Sequence, residues 1–306
     1  MQLDSARLTA LLAVIQHGSF ERAARVLHVT PSAVSQRIAR LEDELGLVLI
    51  ARGMPCQATP HGERLARHAE AVALAERDTL DRLGVPAPDA TRPVVRVAVN
   101  ADSLATWFVD ALSDLQSMRV DVVIDNEDHS ADWLRRGEVM AAVTAQTHPV
   151  GGCDRRRLGR LRYRATAAPA FLAQHFADGV TAQALQAAPA LSFNTLDRLQ
   201  ARWAAQYVAP VEPGLGHRLP SANAFVEAAL AGVGWGLNPE ALVADALSAG
   251  RLHELLADTP FDVPLDWHYV RRLETVMAPL TEAVTAAAAR HLRAGTGAGA
   301  AVDSLL

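Results

Sequence analysis

The side chains with the clearest chemistry lie in residues 31–40, where short polar groups are mixed with glutamine and arginine. Short side chains let a helix backbone approach the edges of DNA bases, and glutamine and arginine supply donors and acceptors that read them. Thr30 is a good N-cap residue, and Pro31 at the first helical position needs no backbone donor. We expect these residues to face DNA: Thr30, Ser32, Ala33, Ser35, Gln36, Arg37, Arg40 and Arg52.

Other helices must hold this recognition helix in place. Val34, Ile38 and Leu41 recur at helical spacing, so one of its faces is apolar. Residues 20–27 carry a matching apolar stripe, and residues 3–15 predict an earlier amphipathic helix that closes a three-helix core. This is the pattern of a helix-turn-helix. The alternative is an ordinary surface hairpin, since serine, glutamine and arginine are also common on solvated faces.

A short hairpin is predicted after the recognition helix. Residues 45–50 are an apolar run typical of a strand, and a turn follows at residues 52–55. Residues 56–58 form the return, so the pair resembles a wing that places Arg52 near phosphate or the minor groove. The N-terminal 60 residues therefore predict a winged helix-turn-helix.

Composition restricts the remaining possibilities. The chain has 306 residues, half of them apolar, which suits two or three domains. The net charge is −5, but residues 1–67 hold eight arginines and six acidic residues, a net of +2. Nucleic-acid affinity follows such a local patch rather than the chain average. No run reaches the ~18 apolar residues of a membrane span, and Asp4 and Arg7 interrupt any signal peptide, so we expect a cytoplasmic protein.

A long helix is expected over residues 61–83. Its apolar positions recur near every 3.5 residues, which suits a two-stranded contact between protomers: Leu65, Ala69, Val72, Leu80 and Leu83. Dimerisation is favoured because one helix-turn-helix reads too few base pairs, and a tetramer stays open. The alternative is a lone amphipathic helix packed on its own domain. Residues 84–92, rich in proline, predict a hinge.

Strand and helix patterns alternate after the hinge, over residues 93–294. Strands are expected at 94–99, 120–124 and 140–144, with helices at about 103–115 and 131–136 between them. This alternation predicts an α/β lobe with a parallel sheet covered by helices. A second lobe is expected over about 166–268, with strands at 191–193 and 234–238 and a helix at 223–231. The chain returns to the first lobe through 265–270 and a helix at 280–292, so residues 269–294 complete that lobe, and 295–306 form a tail.

Catalytic and metal chemistry find no support. All 29 basic residues are arginine, which excludes Schiff-base catalysis, a P-loop and a catalytic lysine. Cys56 and Cys153 are far apart, and the histidines lack metal-ligand spacing, so no disulfide framework or metal site is expected. The glycines at 232–236 follow a helix instead of preceding one and fail the G-x-G-x-x-G pattern. We expect no catalytic residues, no metal and no cofactor.

This layout resembles the LysR family of bacterial transcription regulators: a winged helix-turn-helix, then a long helix, at the N-terminus of about 300 residues. The two lobes with a late crossover resemble the effector-binding domain of that family. That domain shares its architecture with periplasmic solute-binding proteins, which close two lobes around a ligand. The resemblance therefore implies a small-molecule effector held between the lobes.

Two acidic and polar segments are candidates for holding the effector. Residues 100–107 open a helix whose free N–H groups attract a carboxylate, and Ser103 can donate to the same anion; the alternative is simple capping by Asp102 or Ser103. Residues 125–129, after the second strand, can hold a cationic group; the alternative is a solvated loop. The expected effector-binding residues are Asn100, Asp102, Ser103, Thr106, Trp107, Asp125, Glu127, Asp128, Thr144, Asn194, Asp197, Ser221 and Asn223.

Several segments are similar to one branch of the family, LysG/ArgP. They are FERAA, AVSQRI, NADSLATW (100–107), LRRGEVMAAVT (134–144), PVGGC (149–153) and LGRLRY (158–163). The resemblance implies an activator that senses lysine, arginine or in some members histidine and controls a basic amino-acid exporter gene. It also implies a double-stranded operator and RNA polymerase as partners.

Two other classes of protein compete with this interpretation. A solute-binding or carrier protein would use the N-terminal helices only for oligomerisation, and the missing export signal speaks against it. An enzyme with a fused DNA-binding head is disfavoured because the sequence offers no catalytic constellation.

Overall fold

The computed structural model describes residues 3–85, 93–113, 115–125, 130–145 and 148–294. Contacts divide the chain into two units, Met1–Val94 and Val95–Leu306. Most of the expected hinge and all of the expected tail at 295–306 lie outside the described residues, as do Glu127 and Asp128. No helix within the described ranges is long and apolar enough to cross a membrane.

Three helices form the core of the first unit: α1 (Ser5–His17), α2 (Phe20–Val26) and α3 (Pro31–Leu45). Each begins at a polar N-cap, Asp4, Ser19 or Thr30, whose side chain accepts a hydrogen bond from the backbone N–H three residues on. The apolar faces meet in one cluster, which includes the buried residues Leu11, Val14, Ala23, Val34, Ile38 and Leu41. The predicted helix-turn-helix and the capping role of Thr30 are confirmed.

The wing is shorter than predicted. Its strands are β1 (Ile50–Ala51) and β2 (Gln57–Ala58), which pair antiparallel. The predicted strand over 45–49 was wrong, because α3 continues to Leu45 and Gly46 ends it in the left-handed conformation. The Glu42 carboxylate then accepts the backbone N–H groups of Leu49 and Ile50 at 2.7 and 3.2 Å. A side chain thus satisfies backbone groups that a longer strand would have paired.

The long helix α4 spans Pro60–Arg82 and packs against α1. Leu65, from the predicted apolar seam, joins the three-helix core, whereas Leu83 lies beyond the helix end and is 70% exposed. Part of the seam therefore serves the helix's own domain.

The second unit contains a large sheet. Its strands are β3 (Val94–Asn100), β4 (Arg119–Asp125), β5 (Ala141–Thr144), β6 (Cys153–Ala167), β9 (Gly236–Pro239), β10 (His253–Glu254) and β11 (Phe261–Val270). Two further strands, β7 (Pro189–Ser192) and β8 (Gly214–Arg218), lie outside this sheet. Within the described ranges the strand order is β10-β6-β11-β5-β3-β4, with β9 also paired to β6, while β7 and β8 form a separate parallel pair. β3 and β5 are parallel as predicted, but β11 runs antiparallel to both β5 and β6. The sheet is therefore mixed.

The 15-residue strand β6 was not predicted. Its arginines interrupt the apolar alternation, but acidic residues of β11 pair with them: Arg155 lies 2.8 Å from Asp266, and Arg162 donates two hydrogen bonds to Asp262. β6 pairs with β11 over most of its length and with β9 over Tyr163–Thr166. One continuous strand therefore runs through both lobes.

Helices cover the sheet and build the second lobe. A helical segment consists of α5 (Ala101–Ser103), a π-helical turn at Leu104–Phe108 and α6 (Val109–Leu112), so it begins two residues before the predicted start. The others are α7 (Ser130–Arg135), α8 (Pro169–His175), α9 (Ala182–Ala187), α10 (Leu199–Tyr207), α11 (Ala222–Leu230), α12 (Glu240–Ser248) and α13 (Glu274–His291). Sequence patterns missed α10, α12 and β8. The last helix was predicted to start at Leu280, whereas α13 begins at Glu274 and contains Pro279.

Two glycines before and within β9 serve packing. A Cβ on Gly234 would lie 2.9 Å from the Pro189 carbonyl oxygen, and one on Gly236 would overlap the Phe225 ring. These glycines let β9 approach its neighbours closely, which explains their spacing without a nucleotide.

Gly62 provides a test of how α4 joins the wing. A Cβ at this position would overlap the Leu49 carbonyl oxygen, which belongs to rigid backbone. We expect Gly62→Ala to lower the free energy of unfolding by about 1–3 kcal/mol, a typical cost of overpacking. Urea unfolding followed by circular dichroism measures the effect.

Gly53→Ala is the matched control, because its nearest described contact is at 3.5 Å. An unfolding midpoint of Gly62→Ala equal to that of Gly53→Ala would contradict the close approach.

Candidate functional site

The recognition helix α3 presents the expected polar residues on one side. Ser32, Gln36 and Arg40 are exposed, Ala33, Ser35 and Arg37 are half-buried, and Arg52 is exposed on the wing. Thr30 is exposed as well, but its hydroxyl accepts the Ala33 N–H and serves the helix. The apolar side of α3 faces the core.

The cations of this surface are available to a ligand. Arg37 and Arg40 form no ion pair with any described residue, whereas Arg7, beside them in the same groove, is paired with Glu44. Arg52 lies over the Phe20 ring, with 5.8 Å between the guanidinium carbon and the ring centroid. An unpaired arginine pays no cost of breaking an internal ion pair when it meets phosphate or a base edge. Sequence reasoning missed Arg7, which no local pattern links to α3.

A second site is a narrow cavity between the lobes of the second unit. The first lobe contributes Ala101 and Asp102, at the start of the helical segment after β3. The second lobe contributes the loop before α10 with Asp197, the start of α10 with Gln200, the start of α11, and strand β9 with Asn238. The carboxyl end of β3 therefore faces the second lobe, as ligand sites in open α/β sheets do.

Asp102 is the most perturbed acidic group of this cavity. Burial raises the pKa of its carboxyl to about 6, and the negative charge of Asp197 adds to the increase, while a hydrogen bond from Tyr163 opposes it. The Tyr163 hydroxyl donates to Oδ2 of Asp102 at 2.7 Å. Two carboxylates from opposite lobes are thus close enough to repel each other.

The Asp197 carboxylate is held by backbone groups. Its Oδ2 accepts the Phe193 N–H at 2.8 Å, and its Oδ1 accepts the Leu199 N–H at 3.0 Å at the beginning of α10. These bonds fix the position of the carboxylate without neutralising it. The cavity therefore has a net negative character that suits a cation.

Several buried polar atoms without a described partner belong to residues of the cavity lining or to their sequence neighbours. They are Nε2 of Gln200 and Oδ1 of Asn238, which belong to cavity-lining residues, and the side chains of Asn100 and Ser103, which flank Ala101 and Asp102. Asn238 is oriented by a hydrogen bond from Nδ2 to the Thr166 hydroxyl at 2.9 Å. Because most buried polar groups are hydrogen-bonded, such atoms point to a ligand.

The structure brings together only part of the predicted effector set. Asp102 and Asp197 line the cavity, and Asn100 and Ser103 are fully buried and flank Ala101 and Asp102 in the sequence. Asp125 ends β4, and its side chain is not among those described.

The other predicted residues have structural roles or lie on the surface. Trp107 is 1% exposed and packs edge-on against Phe108, and the Thr106 hydroxyl donates to the Asp102 carbonyl at 2.6 Å. Thr144 is buried at the end of β5. The others hold turns or face solvent: Asn194 accepts the Leu196 N–H, Ser221 caps α11, and Asn223 is exposed.

Comparisons with known proteins match both parts of the chain. A family profile for the bacterial regulatory helix-turn-helix protein, lysR family, matches residues 5–63. A profile for the LysR substrate binding domain matches residues 88–293.

Individual relatives cover nearly the whole chain. The HTH-type transcriptional regulator ArgP of Pseudomonas fluorescens is 41% identical over 299 residues, covering 94% of this chain and 98% of the relative. The crystal structure of ArgP from Mycobacterium tuberculosis is 42% identical, covers 96% of this chain and 100% of that one, and gives a TM-score of 0.68. Full-length LysG from Corynebacterium glutamicum with bound effector Arg is 36% identical, covers 95% and 100%, and gives a TM-score of 0.62.

Alanine substitutions on α3 test the DNA-facing surface. We expect Arg37→Ala or Gln36→Ala to weaken specific DNA binding by about 1–3 kcal/mol, because each removes a side chain that can bond a base edge. A gel-shift titration against an operator duplex at fixed salt measures the loss.

Arg251→Ala removes the same charge from an exposed position in the second unit and serves as the control. Operator affinity of Arg37→Ala and Gln36→Ala equal to that of Arg251→Ala would refute the assignment of α3.

Proposed function

We propose that this protein senses a basic amino acid and controls a basic amino-acid exporter gene. The premise is that the chain belongs to the LysR family of bacterial regulatory helix-turn-helix proteins. The effector is L-arginine or L-lysine, with histidine as a third candidate. The single observation that carries the effector class is the pair of carboxylates, Asp102 and Asp197, on opposite walls of the inter-lobe cavity. The winged helix-turn-helix accounts for DNA binding.

The charge of the cavity favours a basic over a neutral amino acid. A neutral zwitterion brings one ammonium, whereas arginine and lysine bring a second cation that can meet the other carboxylate. Desolvated carboxylates without a cationic partner are unfavourable, so a ligand cation relieves the repulsion between Asp102 and Asp197. LysG of Corynebacterium glutamicum, which shares the fold, binds arginine.

For the cationic end of the ligand we propose the Asp102 and Asp197 side of the cavity. The sequence placed it against residues 125–128, and Asp102 beside the ligand carboxylate. Because Asp102 and Asp197 share the cavity, a cationic group fits there better than an anion does. Gln200 carries a buried Nε2 donor without a described partner, and it is suited to donate a hydrogen bond to the ligand carboxylate.

The regulator works through a change in lobe closure. A ligand that contacts both lobes favours the arrangement in which its two sets of contacts form together. That arrangement alters how the DNA-binding domains of a homodimer or tetramer, joined through residues 61–83, are presented to a double-stranded operator. The DNA-bound regulator then acts on RNA polymerase. Both proteins work in the cytoplasm.

A charged ligand and its uncharged analogue together test the effector site. L-citrulline has nearly the shape of L-arginine but no side-chain charge. We expect the wild type at pH 7.5 to bind arginine more tightly than citrulline, and Asp102→Asn to weaken arginine by about 1.5–3 kcal/mol, the range for a charged hydrogen bond. Isothermal titration calorimetry of both ligands against both proteins gives the coupling.

Asp178→Asn, an exposed position of the second lobe, is the charge-matched control and should bind as the wild type does. If all three proteins bind arginine and citrulline equally, the acidic cavity does not select a cation. If the wild type binds none of arginine, lysine and histidine, the effector class is wrong.

A further inference from the structure

Tyr163 is a buried residue at the junction of the two lobes. It lies on β6 opposite Phe261 of β11 and opposite Pro239 of β9, so its backbone is fixed from both sides. Pro239 itself lines the inter-lobe cavity. The Tyr163 side chain is fully buried, and its hydroxyl donates to Oδ2 of Asp102 at 2.7 Å. A strand shared by both lobes therefore holds the acidic residue of the first lobe.

The chemical nature of this partner matters. A phenol is a neutral donor, so it stabilises the carboxylate while leaving its negative charge available. An arginine in the same place would form an ion pair with Asp102 and repel a cationic ligand. Among the described residues, no basic side chain forms an ion pair with Asp102 or Asp197.

We propose that Tyr163 is a positioning residue for the effector, holding Asp102 charged and in place so that the cavity remains a receptor for a cation at neutral pH. This role rests on the proposed function of the cavity. Tyr163 acts through Asp102 and does not itself need to touch the ligand.

The direction of the pH effect follows from the groups that act on Asp102. Among the described residues these are Tyr163 on β6 and Asp197 in the loop before α10. Burial and Asp197 raise the Asp102 pKa to about 6, and Tyr163 opposes the increase. Removing the hydroxyl therefore raises this pKa further. A larger fraction of Asp102 is then protonated near neutral pH, and the protonated acid attracts a cation less.

Tyr163→Phe deletes the hydroxyl and keeps the buried ring. We expect the pH at which arginine binding is half lost to move up by about one unit, so that binding is ~5-fold weaker at pH 6. The deficit should shrink toward pH 8, where Asp102 is ionised in both proteins. The measurement is calorimetric titration with L-arginine from pH 5.5 to 8, since the guanidinium remains charged throughout.

Tyr207→Phe is the matched control, because it removes a hydroxyl that donates to the Pro260 carbonyl at 2.6 Å in the second lobe. It should follow the wild-type pH profile. In an Asp102→Asn background, adding Tyr163→Phe should change arginine affinity less than twofold. This second measurement separates an effect through Asp102 from damage to the fold.

The outcomes distinguish the two proposals. A loss of affinity in Tyr163→Phe that is equal at every pH, or no loss at all, overturns the role of Tyr163 while the arginine site stands. A further large loss on top of Asp102→Asn also overturns it. Failure of the wild type to bind arginine or lysine at any pH removes the proposed function, and the role of Tyr163 with it.

Discussion

The pairing of β6 with strands on both of its sides is the constraint on which the second unit depends. β11 pairs with β6 from Cys153 to Tyr163, and β9 and β10 continue the ladder to Ala167. Several arginines of β6 are partly buried, and acidic neighbours offset the cost of taking their charges partly out of water. Arg162 forms two hydrogen bonds with Asp262, and Arg164 contacts both Glu240 and Glu254. Because these partners lie on different elements, each pair also fixes one element against another.

Within the described residues, the acidic residues of the inter-lobe cavity lack the arginine partners that acidic residues along β6 have. Along β6 the pKa of the Asp262 carboxyl is lowered, chiefly by its hydrogen bond with Arg162. Asp102 has only a neutral phenol as a described side-chain donor, and burial raises its pKa. Backbone N–H groups hold Asp197. The same chain therefore neutralises the acids that hold the sheet together and leaves charge on the two acids that face each other across the cavity. A buried acid without a cationic partner costs stability, and such groups cluster at functional sites.

Local signals allowed the recognition helix to be predicted well, and non-local contacts limited the prediction of the cavity. Thr30, Pro31 and the Val34, Ile38, Leu41 face specify α3 within a few residues, so its position follows from the sequence. Asp102 and Asp197 were each expected near an effector, but their proximity depends on how the lobes meet. Tyr163 contacts Asp102 across 61 residues of sequence, and β6 was hidden because its arginines break the apolar pattern that marks a strand. Gln200 and Asn238 occupy elements with no distinctive motif.

The chain contains arginine but no lysine, and this makes the absence of a described cationic partner for Asp102 informative. Every cationic side chain that the chain can place beside a carboxylate, apart from histidine, is a guanidinium, which binds carboxylates through two parallel hydrogen bonds. Such a group beside Asp102 would neutralise its charge and compete directly with a cationic ligand. No arginine or histidine is among the described residues that line the cavity. A tyrosine supplies one hydrogen bond and no charge, so it holds Asp102 without taking the place of a cation in the cavity.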